Sequence, residues 1–125
     1  MRRDRNLLHI DRMLEAARLA ASYVEGMDER DFLTDTRTQQ AVAMNLIIIG
    51  EAVARLLKDD PTFAEAHPDL PWRQMTGMRN RIAHGYFDLN MRVVWETTRA
   101  CVPELVSRLP SVRAATVGAD DQQHS

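Results

Sequence analysis

The sequence predicts an all-α protein, an up-and-down bundle of four to five helices. Apolar residues recur at intervals of three and four, the period of one helical face, and no run alternates β-branched residues as a half-buried strand would. Breakers are few, with five glycines and five prolines in 125 residues.

In the first segment Leu7, Ile10, Leu14, Ala17, Ala21 and Val24 form a seam suited to a helix packed nearly antiparallel to another, and Gly26 is expected to end it. Asp28 to Asp35 reads as a charged connection, with Thr34, Asp35 or Thr36 available to cap a second helix over about 38–58. That helix is apolar on nearly every side, since Ala41, Val42, Met44, Leu46 to Ile49, Ala52 and Val53 point all round its axis. It must therefore be covered on several sides, either inside one protomer or by a second copy, and a homodimer is expected. Pro61 to Leu70 reads as a connection with a short helical turn. The next helix is expected from Pro71 to Ala83 or His84, with Gly85 at its exit. Asp88 or Asn90 can cap the last, over 91–109, with Val94, Cys101, Val102, Leu105 and Leu109 inward and a bend at Pro103. Residues 1–109 are expected to form a single domain, and 110–125, small and polar, a flexible tail.

The chain is long enough for one hydrophobic core, and 45% of it is apolar. A single cysteine, Cys101, allows neither an internal disulfide nor a cysteine metal cluster and favours a reducing, cytoplasmic setting. Asn6, His9, Asp11 and Arg12 interrupt any signal-peptide core. The apolar run from Ala41 to Ile49 is too short to span a bilayer, so neither secretion nor membrane insertion is expected. A formal charge of −2 speaks against a wholesale nucleic-acid coat. Locally the balance differs: Trp72 to Tyr86 holds Arg73, Arg79, Arg81 and His84 and no carboxylate, so an anion can settle there.

Within that stretch lies RNRIAHGY, Arg79 to Tyr86. Asn80 and His84, four apart, share a helical face, whereas Arg79 and His84, five apart, diverge by about 140°. Three arrangements would still bring them to one phosphate: a helix loosened at Gly85, a long Arg79 side chain wrapped round, or a site shared between two subunits. The chemistry suits cleavage of a phosphodiester beside a 2′-hydroxyl. A histidine can move the proton near neutral pH, and an arginine fork can hold the phosphate and its developing charge. Such a reaction requires no metal or other cofactor, and His9, His67, His84 and His124 are too scattered to suggest a metal site. Glu51, a carboxylate inside an apolar stretch, is either a partner of the motif or an ordinary surface group. Trp72 and Trp95 read as packing residues, and Met75 and Met78 as gap fillers.

Arg79, His84 and Tyr86 reproduce the R-x4-H-x-Y motif, and the chain resembles the HepT-like toxins, a branch of the HEPN ribonucleases. IGEAVARL (Ile49 to Leu56) is similar to the family's second helix, and the block from His67 to Thr97 is similar to its central part. The resemblance implies a dimeric helical bundle whose two motifs line one cleft, and an endoribonuclease toxin acting on RNA without metal. By that likeness Arg79 and His84 are the catalytic pair and Asn80 supports them; from position and local charge alone, Glu51 is a candidate second support, and Arg73 and Arg81 are candidates to hold phosphate. The implied partner is a minimal nucleotidyltransferase antitoxin that blocks the cleft by transferring AMP to Tyr86, as in a type VII toxin–antitoxin system. Some HEPN domains only bind, so a non-catalytic module holding a nucleotide or a nucleotidyltransferase is the alternative.

Overall fold

A computed structural model describes residues 1–123, with side chains to Gly118. The elements are α1 (Arg2–Tyr23), α2 (Glu29–Leu33), α3 (Thr36–Asp59), α4 (Phe63–Ala66), α5 (Trp72–Gly85), a 3-10 turn (Tyr86–Asp88) and α6 (Met91–Gln123). Among the described residues there is no strand, and the all-α reading holds.

α1 and α3 run antiparallel. Asn6 Nδ2 donates to Asp60 Oδ2 at 3.1 Å and His9 Nε2 donates to Asp59 Oδ2 at 3.0 Å, tying the start of one helix to the end of the other. α6 lies along α1, held near its far end by Arg113 Nε on Asp11 Oδ1 at 2.6 Å, and α5 packs across α3. The core is continuous, with Ile10, Met13, Leu46, Ile49, Leu56, Met75, Leu105 and Leu109 all nearly inaccessible to solvent.

Three local outcomes depart from the sequence expectation. The charged connection after α1 folds as α2, because Asp28 and Asp31 cap each other's backbone amides (2.8 and 3.2 Å) and Phe32 is fully buried against Trp95, ring centroids 5.3 Å apart. Helix α6 does not stop at Leu109; it continues through Pro110, the expected start of a flexible tail, to Gln123. Pro103 and Pro110 both lie on its exposed side, seven residues apart, where water can satisfy the carbonyls a proline leaves unpaired, while Leu109 and Val112 stay buried. His124 and Ser125 lie outside the described residues.

The third departure concerns α3. By length and composition it is long and apolar enough to cross a membrane, and half of its apolar stretch is buried inside the bundle, the environment of a core helix. Its covering is incomplete: Val42, Leu46, Ile49, Val53 and Leu56 are buried, but Met44 and Ile48 are exposed. The caps follow the sequence more closely. Thr38 N donates to Asp35 Oδ1 at 3.0 Å, and Arg92 N donates to Asn90 Oδ1 at 2.9 Å.

Candidate functional site

The motif helix owes its position to a glycine on another helix. Gly50 of α3 is buried, and a Cβ there would lie 2.9 Å from both the Met75 carbonyl oxygen and Arg79 Cγ, and closer still to Arg79 Cβ. Only the missing side chain lets α5 approach this near. The close crossing lays Arg79 over the α3 backbone beside the next residue, Glu51. Arg79 Nε donates to Glu51 Oε1 at 2.7 Å, Nη2 donates to the same oxygen, and Nη1 donates to Asn80 Oδ1 at 2.6 Å. Glu51 is thus a partner of the motif and not merely a surface carboxylate. The Arg79 side chain remains 31% exposed and lines a cleft, so the held arginine is not sealed from solvent.

His84 has a different setting. It sits in the last turn of α5, is exposed, and makes no hydrogen bond among the described residues, leaving both ring nitrogens available. It opens onto a cleft of about 320 Å³ shared with Arg81, Asp88, Leu89, Asn90 and Val93. Arg79 opens onto another, of about 640 Å³, between α1 and α3. The two arrangements that would join this pair inside one protomer are therefore not adopted: α5 stays helical to Gly85, and the Arg79 side chain turns toward Glu51.

Gly85 does not take the left-handed conformation of a helix-ending glycine. Its φ is −164°, extended backbone open to any residue, and a Cβ there meets nothing within 4 Å. The chain passes directly into the 3-10 turn, closed by Leu89 N on Tyr86 O at 3.1 Å. Tyr86 is half-buried, its ring against the core and edge-on to the wholly exposed Phe87, with centroids 6.4 Å apart. Its hydroxyl makes no hydrogen bond among the described residues.

The remaining candidates are not gathered at one point. Arg81 shares the cleft of His84, whereas Arg73, at the start of α5, borders a separate cleft with Asp69 and Glu104. Burial, with Glu104 nearby, pushes the Cys101 thiol up, which leaves it a packing residue and no nucleophile. Among the described residues no group of three or more His, Cys, Asp or Glu side chains is placed to hold a metal ion. Sequence reasoning weighed the charge of the whole chain and of the stretch around the motif, and missed Arg5 and Arg12 of α1 and Arg55 and Lys58 of α3, which line the cleft of Arg79. The spacings of seven and three residues were the available signal.

Comparison with known proteins shows the family. The family model described as "Ribonuclease HepT-like" matches residues 13–112. A protein of Thermococcus cleftensis described as "Probable ribonuclease HepT" is 35% identical over 105 residues, covering 84% of this chain and 93% of the relative. One of Caldanaerobacter subterraneus subsp. tengcongensis, provisionally named an RNase, is 34% identical over 104 residues, covering 83% of this chain and 90% of the relative. No solved structure matches the chain significantly. With Arg79 and His84 on α5, Tyr86 in the turn that follows, and the family match spanning most of its length, the chain belongs to the HepT-like ribonuclease family.

Proposed function

We propose that this ribonuclease is a cytoplasmic toxin that cleaves RNA without metal, in a site completed by two subunits and blocked by AMP transfer to Tyr86. The observation that carries the reading is the contrast along α5: a guanidinium fixed by Glu51 and Asn80, and five residues on an exposed imidazole with no partner. Because the two open onto different clefts in one protomer, a second copy must bring them to a common phosphate. Met44 and Ile48 supply a contact face for that copy, since they lie on the same stripe of α3 as Glu51 and Arg55.

In the cleavage step His84 accepts the proton of a ribose 2′-hydroxyl as its oxygen attacks the adjacent phosphorus. The bond to the 5′-oxygen breaks, that oxygen takes a proton, and a 2′,3′-cyclic phosphate remains. Arg79, kept rigid by Glu51, places positive charge where the phosphorane gathers negative charge, so little reorganisation is needed as the reaction proceeds. No step calls on a metal ion. Tyr86 stands two residues from His84 with its hydroxyl unbonded. A nucleotidyltransferase antitoxin, as in a type VII system, would join that oxygen to the α-phosphorus of ATP with loss of pyrophosphate. The adduct adds bulk and negative charge beside the cleft, and both oppose an incoming RNA.

The experiment is cleavage of a mixed RNA in excess chelator. Wild-type protein is expected to leave cyclic-phosphate ends, and His84→Ala to leave RNA intact at unchanged thermal stability, since this exposed ring supports no internal bond. Cleavage that survives His84→Ala, or that needs added metal, defeats the scheme. A second reading, a binding module without catalysis, draws on the fact that three Arg79 nitrogens are already occupied internally. It requires a tight complex with the nucleotidyltransferase and no cutting of any RNA at any protein concentration.

A further inference from the structure

We infer that the groove between α1 and α3 is a track for the phosphate backbone of single-stranded RNA, with Arg12 and Lys58 as its principal anion contacts. The inference rests on the ribonuclease reading and extends it to residues far from the motif.

The chain as a whole is slightly acidic, yet this groove is not. Five cations line it, Arg5, Arg12, Arg55, Lys58 and Arg79, against two carboxylates, Glu51 and Asp59. Both carboxylates are engaged from within. Glu51 accepts from Arg79, and Asp59 accepts from His9 at 3.0 Å with Arg5 at 3.7 Å. His9 is 6% exposed with its Nδ1 buried and unpartnered, so its ring is committed to Asp59. The hydrogen bond from His9, with Arg5 and Lys58 nearby, holds the Asp59 carboxyl below the usual carboxylate range and keeps it ionised.

With the carboxylates satisfied, cationic charge is left over. Arg12 and Lys58 form no ion pair among the described residues, and Arg55 reaches only Glu51, at 3.9 Å, where Arg79 is the nearer partner. Arg5 and Arg12 are seven residues apart on one stripe of α1, which spaces them about 10 Å along the groove. Arg79 lines the same groove, so a strand held there is in reach of the motif's arginine.

The lining suits a polyanion better than a folded protein. Leu8 is its one large exposed apolar residue, whereas the centre of a protein interface is apolar and poor in charge. No phenylalanine, tyrosine or tryptophan lines it, and the His9 ring is buried against Asp59, so bases have nothing to stack on and the contacts are to the backbone, without preference for sequence.

The test is binding of a short mixed-sequence RNA in which every 2′-hydroxyl is methylated, so that cleavage plays no part. Dissociation constants are measured across a salt series for the full chain, for Arg12→Glu with Lys58→Glu, and for the milder Arg12→Gln with Lys58→Gln, each checked by circular dichroism. Arg18→Glu is the control, because Arg18 lies seven residues from Asp11, on the side of α1 turned toward α6. Charge reversal is expected to weaken binding about tenfold or more, and both doubles to flatten the salt slope by about 1.4, two lost phosphate contacts at about 0.7 each. Affinity and slope equal to those of Arg18→Glu would overturn the track and reassign these cations to an acidic protein surface. Cleavage of unmodified RNA is scored separately. A protein that binds with this salt dependence but never cuts keeps the track and loses the nuclease, and one that cuts without the dependence does the reverse.

Discussion

Replacing Gly50 by alanine separates two effects that normally coincide. Inside a helix, glycine to alanine stabilises by about 1 kcal/mol, because alanine loses less backbone entropy on folding. At Gly50 the new methyl would collide with the Arg79 side-chain root and a backbone carbonyl of α5, neither of which can swing aside. Accommodation therefore requires α5 to move off α3, and overpacking of this kind costs about 1–3 kcal/mol. At the upper end of that range, which backbone collisions warrant, the net loss is about 2 kcal/mol, or about 8 °C in Tm. Gly77 is the matched control: it lies within α5, is exposed, and a Cβ there meets nothing within 4 Å. Gly77→Ala should gain about 1 kcal/mol, a rise of about 4 °C. Urea unfolding and thermal melts of both variants read the difference directly. Gly50→Ala should also lower kcat for RNA, since displacing α5 moves Arg79 off Glu51. A Gly50→Ala protein as stable as Gly77→Ala would refute the close crossing on which the placement of Arg79 depends.

Glu51→Gln should change stability by less than about 1 kcal/mol, because both it and Arg79 are substantially exposed, yet reduce kcat about tenfold or more by loosening the guanidinium; an unchanged kcat would make Glu51 a bystander. Asp59 and Asp35 are both held below their ordinary value of 3.8, Asp59 by His9 and Asp35 by the backbone amide and hydroxyl of Thr38. Since the folded form has the lower value, their stabilisation is complete above 3.8 and is lost as pH falls through the depressed folded values. Asp59→Asn should flatten the acid limb of a pH–stability curve while leaving its shape near neutrality, as measured by urea midpoints. Phe32→Ala should cost about 3–5 kcal/mol by emptying a fully buried site, and a near-neutral result in denaturant would mean that α2 is not docked against Trp95.

What could be read from the chain alone was whatever depends on neighbours three, four or seven residues away. The seams of α1 and α6, the caps at Asp35 and Asn90, the start of α5 after Pro71, and the motif all belong to this class. The buried face of α1 is still rotated slightly from the expected one. Asn6 and His9 are buried on it through their bonds to Asp60 and Asp59, and polarity hides such positions from an apolar pattern. α2 was hidden for a similar reason, because one buried phenylalanine among acids and an arginine gives no period.

Sequence by itself determined a helical bundle with an arginine, a histidine and a tyrosine near the end of one helix, because periodicity and caps are local properties of the chain. Only the tertiary structure decided that Gly50 admits α5 closely enough for Glu51 to hold Arg79. It also decided that α6 outlasts Pro110, and that cations from two helices far apart in sequence form one groove that Arg79 also lines. Those outcomes depend on distances between residues tens of positions apart, and such distances are set when the helices pack.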